Sequence, residues 1–355
     1  MPELLVGTKK GLFVLRGEEP RAFEVAARAF AGTTVEYAMR DRRTGRYFAS
    51  VTSGFYGPRL MHTTDPVGEW EQAEGIAFAE DDEVTLERIW VVREGEADGQ
   101  LFAGSDPAAL WESTDVGHTW SRNEALWKAR IAGDWQPGQG GLALHSICTW
   151  PGDPSRLAVA VSAAGVWLTD DGGASWRTGY SGLVPEYMPE EAREGSNQLC
   201  VHNMHRAPAR PERLFLQFHG GVYRSDDAGE TWIDIREGLP TQAFGFPLVT
   251  DPADADSAFV IPMTGAEDRT VPGGALAVYG TRDAGASWTA AGPGLPGSDA
   301  YVTILRQAFD RSKQGDEMGM WFGATSGEVF GSLDAGRSWF TVAARLAPVT
   351  SVRVA

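Results

Sequence analysis

An eight-residue pattern recurs along this chain at a nearly constant interval and limits what the chain can fold into. Five copies are nearly intact and one is degenerate; in chain order they read TTDPVGEW (63–70), STDVGHTW (113–120), TDDGGASW (169–176), SDDAGETW (225–232), TRDAGASW (281–288) and SLDAGRSW (332–339). The tryptophans that end successive copies lie 50, 56, 56, 56 and 51 residues apart. A repeat of about 50 residues built from short strands predicts a β-propeller with one blade per repeat.

Each conserved position within the pattern has a mechanical role in a tight turn. The aspartate accepts hydrogen bonds from backbone N–H groups of its own turn, and the glycine two residues later tolerates a positive φ. The tryptophan begins the next strand and buries a large ring between blades, at roughly 25 cal/mol per Å² of apolar area removed from water. The pattern therefore predicts a hairpin turn, and its carboxylates are assigned a structural rather than a catalytic role.

The form S/T-x-D-x-G-x-S/T-W resembles the Asp-box of the BNR-repeat families. Those families include sialidases, xyloglucan hydrolases, sortilin-type receptors and photosystem assembly propellers. The resemblance implies a β-propeller. Because one fold supports many activities, the resemblance does not select one of them.

Short apolar runs around each copy supply the remaining strands, for example CVHNM (200–204), LFLQF (214–218) and GVYRS (221–225). They make four strands per repeat. The N-terminal unit lacks a first strand, while PVTSVRVA (348–355) is a first strand with nothing after it. We therefore expect an all-β, seven-bladed propeller of four-stranded antiparallel blades, forming one domain over residues 1–355 and closed by the C-terminal strand. VTILR (302–306) is the expected first strand of blade 7.

Composition excludes several classes of partner. The 355 residues carry 31 Lys and Arg against 48 Asp and Glu, a net charge of −17, which argues against binding to nucleic acid or to an anionic membrane. No apolar run approaches the roughly 18 residues of a membrane span, and the first residues are already strand-like, so a cytoplasmic location is expected. Cys148 and Cys200 are expected to be free thiols. No cofactor is predicted, and the expected state is a monomer or small homo-oligomer.

The connections between blades differ in length and point to one sector of the ring. The two longest, NEALWKARIAGDWQPGQGGLAL (123–144) and SGLVPEYMPEEAREGSNQL (181–199), flank blade 4, and a third extended loop, MTGAEDRTVPGGAL (263–276), belongs to blade 6. Propeller sites are usually built on the face that carries these loops. The segment from Trp127 to Trp135 is expected to be a partial cover.

Three histidines converge on the same sector. His145 and His202 begin the first strands of blades 4 and 5, and His219 lies in the loop between the second and third strands of blade 5. They can satisfy buried backbone groups, bind a ligand or act in acid–base chemistry, or bind a metal. Without H-x-H or H-x-x-x-H spacing no metal is assigned, although the three stay metal candidates. The predicted ligand-binding residues are His145, His202, His219, Arg88, Glu87, Tyr37, Trp135 and Tyr301.

Two classes of function remain open. The first is a propeller that binds a small polar ligand, a glycan or a protein partner over blades 3 to 5. The alternative is a glycoside hydrolase. Sialidases, as the resemblance implies, use an Arg triad, a Tyr/Glu pair and an Arg-Ile-Pro motif; this motif is absent here, and the candidates are Arg59, Arg88, Arg269, Arg306, Tyr301 and Glu36. Any other glycosidase needs two carboxylates from Asp106, Asp134, Glu186, Glu267, Asp268 and Asp299.

Overall fold

Seven four-stranded antiparallel sheets form a ring in the computed structural model, which describes residues 2–19, 21–194, 196–314 and 317–355. The predicted seven-bladed β-propeller is confirmed. The first strands of neighbouring blades contact one another and line a central channel.

From the channel outwards the strands are, in blade 1, Val349–Val354, Glu3–Thr8, Gly11–Glu19 and Ala22–Ala29; in blade 2, Thr34–Arg40, Tyr47–Ser53, Gly57–Thr63 and Glu71–Gln72; in blade 3, Arg88–Glu94, Leu101–Asp106, Leu110–Ser113 and Ser121–Arg122; in blade 4, Leu144–Trp150, Asp153–Val161, Gly165–Thr169 and Arg177–Thr178; in blade 5, Val201–Arg206, Leu214–Phe218, Gly221–Ser225 and Ile233–Asp234; in blade 6, Gly245–Thr250, Ala258–Pro262, Tyr279–Thr281 and Thr289–Ala290; and in blade 7, Phe309–Gln314, Glu317–Gly323, Val329–Ser332 and Phe340–Ala343.

The C-terminal strand closes the ring as predicted. Val349–Val354 pairs antiparallel with Glu3–Thr8, with Leu4 opposite Val354 and Val6 opposite Val352. Blade 1 therefore combines the two ends of the chain, and Glu3–Thr8 is paired with a strand on each side.

The first strand of blade 7 is not where the sequence places it. It spans Phe309–Gln314, and residues 302–306 form an irregular segment before it. That segment bonds to neighbouring loops instead of to a strand: Thr303 Oγ1 donates to Arg269 O at 2.9 Å, and Thr325 N donates to Thr303 O at 3.0 Å. The apolar residues of the segment pack into the core without forming a strand: Ile304 is buried, and Val302 and Leu305 are partly buried.

The eight-residue copies form hairpin turns, which we call the repeat turns. In the Asp227 turn, Thr231 N and Ser225 Oγ donate to Oδ1 at 2.9 and 2.8 Å, and Thr231 Oγ1 donates to Oδ2 at 2.6 Å. The turns at Asp115, Asp171, Asp283 and Asp334 repeat these bonds. The aspartates are thus fully used in holding their own turns.

The tryptophans of the repeat turns join neighbouring blades. Trp232 Nε1 donates to Gly179 O at 2.9 Å, and Trp288 Nε1 donates to Ile235 O at 2.7 Å, in each case reaching the preceding blade. Both rings are buried. We call the face that carries the repeat turns the lower face, and the face that carries the connections between blades the upper face.

The predicted long loop 123–144 contains the single α-helix of the described residues, Glu124–Ala132. Asn123 caps the helix by accepting from Leu126 N at 2.9 Å. The remaining helical elements are short 3-10 segments at Glu80–Asp82, Glu190–Ala192 and Pro272–Gly274. Within the described ranges, no helix has the length and apolar character that crossing a bilayer requires.

Candidate functional site

The first strands of blades 2 to 5 each contain one extra residue near the upper face, where the pairing with the second strand slips by one position. The extra residues are Glu36, Trp90, His145 and His202. Blade 6 has the same slip between Gly245 and Leu248, at Phe246. Bulges of this kind re-aim side chains and are frequent beside functional sites. They place a ring of equivalent residues around the upper mouth of the channel.

Arg88 and Tyr37 are in the predicted set because they were aligned in sequence with His145 and His202, and the register corrects that alignment. Trp90 and Glu36 are the equivalents of His145 and His202. The sequence could have revealed them only if the bulge had been recognised, because one extra residue in a strand shifts every alignment by one position.

A layer of buried polar side chains crosses the channel beneath the bulges. Gln307 Nε2 donates to His145 O at 2.9 Å, Asn203 Nδ2 donates to Arg306 O at 3.1 Å, and Ser146 Oγ donates to Asn203 Oδ1 at 3.3 Å. These bonds join blades 4, 5 and 7. They separate an upper mouth from a lower one.

Arginines and aromatic rings alternate around part of the upper mouth. The Cζ atoms of Arg88 and Arg306 lie 4.9 and 5.1 Å from the ring centre of Trp90. Arg306 and Arg269 lie 5.9 and 5.6 Å from the ring centre of Phe246. We call Arg88, Arg306 and Arg269 the arginine ladder. It brings together three of the four arginines that the sequence analysis named for a triad.

The arginine ladder has unused hydrogen-bond donors. The Nε atoms of Arg88 and Arg306 are buried and have no hydrogen-bond partner among the described residues. Burial lowers the pKa of Arg306 to about 10; Cys200 and Asp106 oppose this shift, while Arg88 and Arg269 add repulsion. Arg306 stays charged at neutral pH, yet its Nε lacks the acceptor that a buried guanidinium nitrogen ordinarily has.

Asp106 lies beside the ladder at the end of the second strand of blade 3. Burial raises the pKa of this carboxyl group, the nearby charge of Glu87 raises it further, and Arg88 opposes both. Glu87 N donates to Asp106 O at 2.8 Å. The loop 123–144 approaches Asp106 at Gly141, whose φ is +90°; a Cβ there would lie 2.8 Å from Oδ2. The loop thus covers Asp106 at Gly141, which lies outside the segment from Trp127 to Trp135 that was expected to be the cover.

His145 is enclosed in the protein. Nε2 bonds to Val201 O at 3.0 Å, and Nδ1 lies 2.9 Å from Ser146 Oγ. Burial, followed by repulsion from Arg306, lowers the pKa of this imidazole well below its usual value. Both ring nitrogens are engaged, so His145 satisfies buried polar groups of the protein, which is the first of the three roles considered for these histidines.

His202 and His219 lie together with Cys200. His202 Nδ1 donates to Gly245 O at 2.6 Å, and its Nε2 lies 3.4 Å from Cys200 Sγ. The ring centres of His202 and His219 are 5.4 Å apart, and Tyr187 stacks against His219 at 4.7 Å. Burial lowers the pKa of both imidazoles and raises that of the Cys200 thiol. Neither cysteine forms a disulfide, as predicted.

The other predicted residues lie outside this group. Tyr37 is buried towards the lower mouth, 4.7 Å from Arg353 Cζ. Tyr301 is 69% exposed and begins no strand, since the first strand of blade 7 starts eight residues later. Trp135 is buried against Trp167, with ring centres 4.9 Å apart. The structure therefore keeps Arg88, Glu87, His202 and His219 of the predicted set at the upper mouth.

Several of the six carboxylates considered for glycosidase chemistry have other partners. Glu186 forms a paired salt bridge with Arg236 at 2.7 and 2.9 Å, which lowers its pKa. Asp268 accepts from Thr264 and Thr270, each at 2.9 Å. Asp106 differs from Glu186, because burial raises its pKa.

The lower mouth contains a cavity of about 170 Å³. Two of its lining arginines support the first strands: Arg311 Nε donates to Thr250 O at 2.8 Å, and Arg353 donates to Phe309 O at 2.9 Å. We assign these two guanidinium groups a structural role, because they donate to backbone carbonyls.

Comparisons with known proteins agree on the fold. No family model matches the chain. Over 199 residues the chain is 26% identical to a probable oligoxyloglucan-reducing end-specific xyloglucanase of Neosartorya fischeri. The match covers 53% of this chain and 22% of that protein. Among solved structures, an ancestral GH74 enzyme is similar with a TM-score of 0.57 and 16% identity, over 90% of this chain and 38% of that one. YCF48 bound to D1 peptide is similar with a TM-score of 0.51 and 15% identity, over 83% of this chain and 78% of that one.

These similarities concern the fold and, for the xyloglucanase and the GH74 enzyme, only part of the other protein's length. The solved structures share the propeller fold with this chain at identities that carry no information on chemistry. The chain corresponds to about a fifth of the length of the curated xyloglucanase and to well under half of the GH74 enzyme. The two solved structures are thus a GH74 enzyme and YCF48 bound to D1 peptide.

Proposed function

We propose that this protein is a binding propeller whose upper mouth holds a small ligand bearing a carboxylate or a phosphate. The observation that supports this proposal is the arginine ladder, because its buried Nε atoms lack acceptors. Planar guanidinium groups bind carboxylate and phosphate oxygens in pairs, with bonds roughly twice as strong as neutral ones.

The charge distribution supports the same ligand class. The chain carries a net charge of −17, yet three arginines meet at this mouth. Burial is the main cause of the lowered pKa of Arg306, and repulsion from Arg88 and Arg269 adds to it. A bound anion supplies an acceptor and also offsets that repulsion, whereas a neutral ligand can do only the first.

The rim of the mouth is suited to a small organic ligand. Phe55 and Tyr56, on the loop between the second and third strands of blade 2, are 95% and 75% exposed. Tyr301 is exposed on the same face. Aromatic rings of this kind offer flat surfaces for a sugar or another ring. We therefore place acidic carbohydrates and sugar phosphates first among the ligands to test.

The test compares three probes that share one sugar ring: D-glucose, D-glucuronate and D-glucose 6-phosphate. Thermal unfolding is followed by differential scanning fluorimetry, since a ligand that binds the native state raises Tm by an amount that increases with the ratio of free ligand to Kd. A peptide with a free C-terminal carboxylate is included as a fourth probe. We expect a rise in Tm with anionic probes and none with D-glucose. A response to neutral sugars alone would contradict the proposal.

A second candidate function is glycoside hydrolysis, which the raised pKa of Asp106 favours. A carboxyl group held protonated beside a charged one is the arrangement that glycosidases use for general acid catalysis. Asp106 and Glu87 are the pair that we would assign to this role. The similarity to part of a xyloglucanase agrees with it in fold only.

Hydrolysis is tested with xyloglucan oligosaccharides and nitrophenyl glycosides. If the protein is an enzyme, Asp106→Asn lowers kcat by about 100-fold or more, the usual contribution of a general acid. Asp134→Asn is the matched control, because Asp134 lies in the covering loop and bonds to Gln136 at 2.6 Å. Equal rates in the two variants, or no hydrolysis by the native protein, would exclude this candidate.

A further inference from the structure

Three metal-binding side chains meet beside the arginine ladder. The Sγ atom of Cys200, a ring nitrogen of His202 and a ring nitrogen of His219 all lie within 4.8 Å of one another. Cys200 directly precedes the first strand of blade 5, His202 is the bulge of that strand, and His219 follows the second strand. One blade therefore supplies all three, and the bulge aims His202 at Cys200.

The surroundings hold these side chains in the required orientation. His202 Nδ1 donates to Gly245 O at 2.6 Å, which leaves Nε2 as the unprotonated nitrogen that faces Cys200 Sγ. His219 N donates to Cys200 O at 3.0 Å and fixes the two backbones to each other. In most metal-ligating histidines, the ring nitrogen that does not bind the metal donates its hydrogen to a carbonyl or carboxylate, and this bond fixes the orientation of the ring.

The Cys200 backbone has a further support. Its N–H donates to Tyr187 Oη at 2.8 Å, and Tyr187 Oη donates in turn to Gln198 O at 2.6 Å. The rings of Tyr187 and Phe244 pack against His219 at 4.7 and 5.3 Å. The long loop 181–199 thus ends in a structure that positions a thiol beside two imidazoles and partly encloses them.

We propose that Cys200, His202 and His219 bind a zinc-class divalent cation, with the fourth coordination position open to the upper mouth. One thiolate and two imidazoles match the preferences of Zn²⁺ and not those of Mg²⁺ or Ca²⁺, which take oxygen ligands. On binding, the thiol of Cys200 loses its proton to solvent and the sulfur forms the bond to the metal.

The geometry needs a small adjustment. Ligand atoms around a tetrahedral zinc ion are about 3.3 to 3.6 Å apart, given metal–ligand distances near 2.0 Å for nitrogen and 2.3 Å for sulfur. The Cys200–His202 pair already meets this separation at 3.4 Å. His219 lies in a loop and is partly exposed, so rotation of its side chain closes the remaining distance.

Charge decides which species completes the site. Arg306 and Arg269 lie close enough to act on the Cys200 sulfur, and their charges disfavour a bare dication. The thiolate cancels one of the two charges of the metal, and an anion or hydroxide in the open position cancels the other. Metal binding nevertheless does not depend on the ligand proposed above, because water also fills that position.

The experiment uses the full chain freed of metal by dialysis against a chelator. Zn²⁺ is titrated in competition with a chromophoric chelator, and Co²⁺ is then added to fresh protein to record its absorption spectrum. We expect one Zn²⁺ per chain and a cobalt spectrum with a sulfur-to-metal charge-transfer band. Cys200→Ser should abolish that band and weaken zinc binding by about 100-fold or more, at least the loss seen when a supporting group is removed.

The chain provides a matched control in its other cysteine. Cys148 is buried and donates to Met204 O at 3.4 Å, away from the histidines, so Cys148→Ser should leave both signals unchanged. If Cys200→Ser fails to fold, as judged by circular dichroism, His219→Ala replaces it, because His219 lies in a loop. Arg306→Met should keep zinc binding, which separates this site from the anion site. Absence of stoichiometric zinc in the native protein, or an unchanged cobalt spectrum in Cys200→Ser, would overturn the proposal.

Discussion

At the scale of single residues, the same side-chain types serve very different purposes in this molecule. The repeat-turn aspartates accept hydrogen bonds from their own turns, whereas Asp106 is buried beside Glu87 and has a raised pKa. His145 has both nitrogens engaged, whereas His202 keeps one directed at a thiol. Residue type alone does not separate a supporting group from a site group; the hydrogen-bond partners do.

The repeat-turn aspartates should contribute to stability in a pH-dependent way. Replacing Asp227 by Ala removes the acceptor of Thr231 N and should lower the free energy of unfolding by about 1 to 3 kcal/mol at pH 7. Hydrogen bonds from Thr231 and Ser225 outweigh burial and lower the pKa of this carboxyl group. Its contribution is therefore complete above the unfolded pKa of about 3.9 and is lost as pH falls below that value.

Urea unfolding at pH 7 and at acidic pH checks this prediction. The difference between Asp227→Ala and the native protein should shrink as the pH falls. Asp98→Ala, an exposed aspartate in a loop of the same lower face, serves as the control and should change stability little. A loss that stays constant with pH would show that the carboxylate is not the group responsible.

At the scale of elements, the sequence predicts strands well and connections poorly. Strands follow apolar runs because each blade buries both faces, and the repeat turns mark where they end. The sequence predicts a loop where the helix Glu124–Ala132 forms, since this helix buries only Leu126 and Trp127 and has no apolar stripe of helical period. Residues 302–306 are the opposite case: the sequence predicts a strand, and the structure has an irregular segment. An apolar run can be buried by loops as well as by a sheet.

Asn123 connects the helix to the repeat turn of blade 4. Its side chain caps Leu126 N and accepts from Trp176 Nε1 at 3.1 Å, and its amide donates to Gly173 O at 3.0 Å. Asn123→Ala should lower the free energy of unfolding by about 1 to 3 kcal/mol, from the lost cap and the buried groups left without partners. Asn123→Asp keeps the acceptor and should recover part of this loss. Denaturant unfolding measures both, and an unchanged midpoint for Asn123→Ala would contradict the role.

At the scale of the whole molecule, ring closure joins the two ends of the chain. Deleting residues 349–355 leaves Glu3–Thr8 as an open edge on blade 1 and should lower Tm by several degrees and promote aggregation. Deleting Ala355 alone keeps the strand and should have little effect. Thermal unfolding with light scattering distinguishes the two, and equal stability of both deletions would mean that closure contributes little.

The ring was predictable from sequence, whereas the site was predictable only in part. A period of about 50 residues, a first strand missing from the N-terminal unit and a spare strand at the C-terminal end define seven closed blades. The upper mouth was located by its uneven loops and by His202 and His219. Trp90 and Phe246 were missed because a bulge hides their equivalence, and Arg306 was named without its place because its segment is irregular.

The central claim is that the arginine ladder binds an anion, and calorimetry on Arg306 variants tests it most directly. The titration uses D-glucuronate or D-glucose 6-phosphate, whichever gives the larger rise in Tm, on native protein, Arg306→Met and Arg28→Met. Arg28 is the matched control, since it also stacks on an aromatic ring, 5.2 Å from Phe13, but lies on the outermost strand of blade 1. Loss of a charge-assisted bond of about 1.5 to 3 kcal/mol should raise Kd about 10- to 100-fold in Arg306→Met, while Arg28→Met binds as the native protein does. Equal affinity in Arg306→Met and the native protein would contradict the account.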